Sequence, residues 1–267
     1  MSAGESRNNR ILAVLREEKA MRLKGGLYHQ TQIKLAFNSN RIEGSGLSED
    51  QTRYIFETNT FGAEPGEAAN VDDIIETVNH FACFDDMLDH AGEELTEGMI
   101  KEFHRLIKRG TSQERRSWFR VGDYKTRPNV VGDAKTTPPG KVAQEMRKLL
   151  AAYNGKGIVT FGDVVDFHYR FESIHPFQDG NGRVGRIVLF KECLKNGLMP
   201  FVIDHRHKQF YYRGLKEYPA EKGFLTDTCL SAQDSYGELV AYFFPKDTQT
   251  QTGQEQTGMD MTQRMRD

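Results

Sequence analysis

Cysteine is scarce: only Cys83, Cys193 and Cys229 occur, far apart in the chain and without a CxxC pair. An odd, scattered set does not make a disulfide framework, and it fits reduced thiols in a cytoplasmic protein. Long apolar runs are missing too. Nothing approaches the roughly 20 residues that cross a bilayer, and the N-terminal MSAGESRNNR has no apolar signal region, so no membrane role is expected. Charge of one sign is also absent. Lys and Arg number 36 against 38 Asp and Glu, a net charge of −2, which gives no overall pull on nucleic acid or an anionic membrane. RRSWFR at residues 115–120 is too short and isolated to argue nucleic-acid binding. There is no internal repeat, no GxxxxGK(S/T), and no HRD or DFG to mark a protein kinase. Any anion site must therefore be a local cluster.

What is present reads as a helical protein. Ser48 with Gln51 forms a capping-box signal. The segment 71–90 carries Ile74, Val78, Phe81 and Leu88 at helical spacing, which predicts a core face. Thr96 caps a stretch whose Met99, Ile100, Phe103, Leu106 and Ile107 share a face, with Gly110 as its stop. PPGKVAQEMRKLLAAYN opens on prolines and presents Val142, Met146, Leu149 and Tyr153. Thr160 caps a helix with Val164, Phe167, Phe171 and Ile174 on its core side, and that helix runs into His175. Residues 119–139 differ: β-formers mixed with Gly, Pro and Asn predict a hairpin or flap. The Gln- and Thr-rich residues 246–267 lack apolar periodicity and are expected to be a disordered tail. The expected fold class is mainly α with a short β-hairpin flap.

The informative stretch is HPFQDGNGRVGR, residues 175–186. Pro176 ends the preceding helix near His175. Gly180, Asn181 and Gly182 supply flexible backbone whose N–H groups can converge into an anion nest. A new helix is expected to begin near Gly182 or Arg183, adding its positive end. Arg183 and Arg186, three apart, share a face, and their planar forks suit phosphate oxygens. Asp179 offers one hard oxygen ligand, as Mg²⁺ bound with phosphates needs. His175 can take a proton near neutral pH. Gly180, Gly182 and Gly185 also spell GxGxxG, but a helix end rather than a strand precedes them, so a dinucleotide fingerprint is not indicated. His205 and His207 lack third and fourth metal ligands at suitable spacing. His80, His104 and His168 are expected to be ordinary solvated or backbone-bonded histidines.

This stretch resembles the Fic (filamentation induced by cAMP) signature HPFx(D/E)GNGRxxR at every specified position. The flanking helices, the flap and the FYYRGL segment resemble that family too, over roughly residues 30–240. The resemblance implies a Fic fold and transfer of AMP from ATP to a Tyr, Ser or Thr hydroxyl of a target protein, with ATP and Mg²⁺ as cofactors. It implies roles as well. His175 is the base and Asp179 the metal ligand. Gly180, Asn181 and Gly182 cradle phosphates. Arg183 and Arg186 bind the β- and γ-phosphates. Phe177 is buried under the loop. Tyr211 and Tyr212 lie where the family lines its base pocket, so one could stack on adenine or both could be core. The flap near residues 124–131 would dock the protein substrate by strand addition.

SNRIEG, residues 39–44, resembles the family's inhibitory motif (S/T)xxxE(G/N). Ser39 and Glu43 stand one helical turn apart, and the resemblance implies that Glu43 pairs with Arg186 and blocks the γ-phosphate. The expected organisation is an N-terminal helical segment with the inhibitory motif (1–70), a Fic domain (71–245) and the tail (246–267). Alternatives are removal of AMP from the same targets, with Glu43 activating water, transfer of another phosphate-containing group, which Gly182 argues against, and a Fic-fold binding module without activity. The target, the modified side chain, self-modification and homo-oligomerisation stay open.

Overall fold

The computed structural model describes residues 7–62, 68–132 and 134–244, with side chains from Arg10 onward. The segment 246–267 lies outside the described residues. Helices α1 (Arg7–Met21), α2 (Leu27–Ile42), α3 (Glu49–Thr58), α4 (Val71–Asp89) and α5 (Glu97–Lys108) precede a small two-stranded antiparallel sheet. Its strands β1 (Val130–Val131) and β2 (Ala134–Lys135) pair Val130 with Lys135 and Val131 with Ala134. Helices α6 (Pro139–Asn154), α7 (Phe161–Ile174), α8 (Asn181–Lys195), α9 (Lys208–Glu217) and α10 (Gly223–Phe243) follow. The fold is mainly α, as expected.

Local chemistry accounts for the helix ends. Ser48 and Gln51 exchange reciprocal bonds at the start of α3, and Thr160 and Asp163 do the same for α7. Thr96 accepts from the Met99 N–H at the start of α5. Gly110, with φ of 75°, follows the end of α5 in the left-handed region.

Helix α8 is buried from Asn181 to Leu194 on every side. A helix with no solvent face must be wrapped by others, and α1, α2, α4, α5 and α7 all touch it. Ile11, Leu15, Leu27 and Leu35 of the N-terminal helices join Phe84, Phe103, Phe171 and Phe190 in one core. A second cluster gathers Ile42, Val164, Leu189, Phe201 and Leu225. The loop that feeds α8 therefore opens at the centre of the molecule.

Two expectations are corrected. Val78 is exposed and Ile74 only partly buried, while Thr77, Asn79, His80, Cys83 and Phe84 are buried. Helix α4 is contacted by α1, α2, α3, α5 and α8, so its interior side is broader than an apolar stripe and includes polar groups with partners. Asn79, for example, donates to the carbonyls of Ile107 (3.0 Å) and Arg109 (2.7 Å). The flap is also less regular than a strand over 124–131: only Val130 and Val131 of that stretch pair in the sheet. Residues 124–129 spend their polar groups on the signature loop instead. Lys125 N–H donates to Pro176 O (2.9 Å), Arg127 N–H to Gln178 Oε1 (3.3 Å) and Asn129 Nδ2 to Phe177 O (3.1 Å).

Candidate active site

His175 follows α7 with φ of 52°, a left-handed conformation that helix ends usually assign to glycine. For a non-glycine residue this costs on the order of 1–3 kcal/mol, the kind of strain that clusters at functional positions. Burial, with the Lys125 charge, lowers the imidazole to about 4, against opposing pulls from the nearby Glu172 carbonyl, Glu43 and Asp179. At neutral pH it is therefore uncharged and able to accept a proton.

Phe177 is fully buried beneath the loop, stacked on His104 with ring centroids 3.9 Å apart. His104 in turn bridges the flap and the loop: its Nδ1 accepts from Gly122 N–H (2.9 Å) and its Nε2 lies 3.1 Å from Asp179 O. The Asn181 side chain is spent on the loop itself. It clips the loop shut, with Nδ2 donating to Phe177 O (2.9 Å) and Oδ1 accepting from Phe177 N–H (2.8 Å). Gly180, with φ of 80°, is the N-cap of α8, which begins at Asn181, one residue before Gly182.

Each loop arginine meets a carboxylate from an N-terminal helix. Arg186, 3% exposed, donates from Nη2 to Glu43 Oε1 (2.7 Å) and to Ser39 O (2.9 Å), and from Nε to Ser39 Oγ (3.0 Å). Burial disfavours its charge, but Glu43 prevails and holds it strongly protonated. Glu43 caps the C-terminus of α2, and its carboxylate lies directly over Gly182, where any Cβ would collide with Oε1. The acid thus sits on the positive end of α8, where an anion would bind. Two guanidinium nitrogens, Arg183 Nε and Arg186 Nη1, are buried without partners.

Arg183 pairs with Glu76 through Nη1, and its Nη2 lies 3.5 Å from Asp179 Oδ2. Lys108, 1% exposed, bridges Glu76 and Asp179, the latter at 2.7 Å. Burial raises the Asp179 carboxyl, but the charges of Arg183 and Lys108 overcome it and hold the group well below the ordinary carboxylate range. Glu76 and Lys108 were invisible in the sequence, because their partners lie 107 and 71 residues away. Replacing Glu76 by alanine leaves two buried cations without their shared acceptor. The expected loss is about 3–5 kcal/mol of folding stability, read from urea denaturation; a change below about 1 kcal/mol would contradict the assignment of this pair as structural.

Asp179 suits Mg²⁺ in kind: it is an ionised, partly exposed hard-oxygen ligand. No group of three or more His, Cys, Asp or Glu able to hold a metal occurs among the described residues, so the remaining oxygens would come from phosphates and water, the usual Mg²⁺ arrangement.

Tyr211 and Tyr212 separate. Tyr211 is 1% exposed, its hydroxyl 2.7 Å from His168 Nε2, so it is a core residue rather than a stacking surface. Tyr212 is 42% exposed, and its hydroxyl donates to Ile42 O (3.0 Å), beside Glu43. His80, His104 and His168 are buried rather than solvated, and burial lowers each to about 3. His205 accepts a structural role, its N–H donating to Asn38 Oδ1 (2.9 Å).

Residues 94–192 match the Fic/DOC family. The protein adenylyltransferase Fic of Nematostella vectensis is 27% identical over 195 residues, 68% of this chain and 42% of that protein. A probable protein adenylyltransferase of Aquifex aeolicus is 38% identical over 103 residues, 38% of this chain and 31% of its own length. The matches thus span less than half of these curated relatives. Among solved structures, a Fic-domain-containing signaling protein from Bacteroides thetaiotaomicron superposes with a TM-score of 0.65 at 25% identity, over 88% of this chain and 90% of that one. Fic-1 from C. elegans (residues 134–508) has a TM-score of 0.66 at 19% identity, covering 89% and 72%, and shares the fold. No helix among the described residues is long and apolar enough to cross a membrane.

Proposed function

We propose that the chain is an ATP-dependent protein adenylyltransferase held in check by its own Glu43. The observation that carries this reading is the Glu43 carboxylate lying over Gly182 and bonded to Arg186, near an uncharged His175 that feels its charge and that of an ionised Asp179. A carboxylate seated on a helix N-terminus between arginines imitates a phosphate group.

In this reading the triphosphate displaces Glu43 and takes Arg186 and the α8 N-terminus. Backbone N–H groups at Gly180–Gly182 bind phosphate oxygens, and Asn181 keeps the loop in shape. Arg183 neutralises charge on the leaving pyrophosphate. His175 accepts the proton of a Tyr, Ser or Thr hydroxyl as that oxygen bonds to the α-phosphorus and the bond to pyrophosphate breaks. Asp179 would hold Mg²⁺, which when bound supplies charge neutralisation on the phosphates. Tyr212 is the residue of its pair that can line a base pocket. The flap backbone near 124–131, already tied to the loop, would present the target segment beside His175. The proposed division of the chain is functional: 1–70 supplies the brake and 71–245 the catalytic loop, although both share one core.

The test is mass spectrometry of the protein, alone and with lysate, after incubation with Mg·ATP. An added AMP on a hydroxyl side chain is expected, and the modified residue identifies the acceptor. ATP consumed without any AMP adduct would overturn the reading. Release of AMP from pre-modified target would instead favour the de-AMPylation alternative.

A further inference from the structure

Glu172 stands one helical turn before His175 on α7 and has no part in the chemistry above. Its Oε1 is buried without a hydrogen-bond partner, and His175 Nδ1 makes no bond of ordinary geometry, although the Glu172 carbonyl pulls on the ring. The two side chains are adjacent, with Glu172 Oε2 3.9 Å from His175 Nδ1. That is beyond hydrogen-bond length, but the left-handed turn at His175 leaves the two groups side by side where α7 ends. One is an acceptor and the other can be a donor. Buried polar groups are rarely left unmatched, and a neighbouring complementary pair of them needs a reason.

The surroundings give room for this acid. A Cβ at Gly185 would lie 2.6 Å from Glu172 Oε1 and 2.9 Å from the His168 ring, so the third glycine of the signature leaves space for the Glu172 carboxyl. The charged and titratable groups around it are Arg186 on α8, Glu43 at the end of α2, Tyr211 on α9, His168 on α7 itself and His175 just after it, while Lys125 of the flap acts on His175. Burial pushes Glu172 up to about 8, Arg186 pulls it down, and Glu43 adds to the rise. Whether protonated or ionised, a carboxyl oxygen can accept from an imidazole N–H.

We propose that Glu172 is a positioning residue for His175: its carboxyl accepts the Nδ1–H bond, which fixes the imidazole tautomer with Nε2 bare and aimed at the incoming hydroxyl. A small rotation of either side chain closes the gap. The second nitrogen of a working histidine is commonly fixed by such a partner. The proposal rests on His175 being the base.

The test uses the full chain with ¹⁵N-labelled histidine, in the Glu43→Gly background. Nitrogen shifts of His175 are expected to report the Nδ1–H tautomer in the presence of Mg·ATP. Glu172→Leu should mix the tautomers and lower kcat about 10- to 100-fold, with the Kd for ATP unchanged. Glu172→Gln, which keeps an acceptor oxygen and the shape, should restore most of both. An Nε2–H tautomer in the parent protein overturns the proposal without any further variant. An unchanged tautomer in Glu172→Leu also overturns it, and would assign the Nδ1 contact to the backbone carbonyl of Glu172. The base assignment fails separately, if His175→Ala still transfers AMP.

Discussion

His175→Ala, made in the Glu43→Gly background, is expected to lower AMP transfer by a factor of about 100 to 10,000, the usual cost of losing a general base. ATP affinity should hardly move. The reason is a division of labour: the groups proposed to hold the triphosphate are Arg183, Arg186 and the α8 N-terminus, and the imidazole is not among them. Transfer of α-labelled phosphate from ATP measures the first quantity and calorimetry the second. Full transfer by the alanine variant would refute the base assignment, whereas joint loss of transfer and binding would mean that the substitution had collapsed the loop. A pH profile adds a sign. Burial and Lys125 lower His175 to about 4, so the protein needs no alkaline pH to free its base, and the acidic limb of kcat/KM should fall below the ordinary histidine range near 6.5.

Glu43→Gly should raise both self-labelling and target labelling by about 100-fold, which corresponds to a latched state favoured by about 2.7 kcal/mol. A charge-assisted carboxylate–guanidinium contact with Arg186 almost fully buried is of that scale. The substitution also clears the space above Gly182. Arg186 keeps its bonds to Ser39 Oγ and Ser39 O, so the guanidinium stays in place for phosphate. Glu43→Gln should give an intermediate gain, since it removes charge but leaves bulk over the helix end. Rates identical to the parent chain in both variants would end the autoinhibition reading.

Much of this was legible before any coordinates. HPFQDGNGRVGR packs its chemistry into one dozen residues, and local signals suffice there: a proline to stop one helix, glycines to turn, arginines on one face of the next helix. Ser39 and Glu43 were readable for the same reason, being one turn apart. The caps at Ser48, Thr96 and Thr160 follow from short-range hydrogen bonding. The carboxylate Glu76 and the cation Lys108 were not legible, because each is an ordinary surface-type residue until the fold buries it against a partner many residues away. The task of the Asn181 side chain was not legible either. Its amide can serve an anion or the backbone four residues earlier, and only the tightness of the loop decides. Tyr211 and Tyr212 are adjacent on a helix and so point in different directions, and only the packing of α9 decides which of them is core.

The position of Glu43 at the last step of α2 has one more consequence. Helix α2 is largely buried and places Leu27, Tyr28 and Leu35 in the central core, so it cannot swing away as a rod. Its final turn is another matter: helix ends fray readily, and an anion at a helix C-terminus opposes the helix's own dipole. Unwinding a few residues after Ser39 would withdraw the acid while the rest of the molecule stood still. Under the proposed autoinhibition, release of the acid asks only for a local change at the end of α2, small enough for a bound peptide, a neighbouring subunit or the nucleotide itself to bring about.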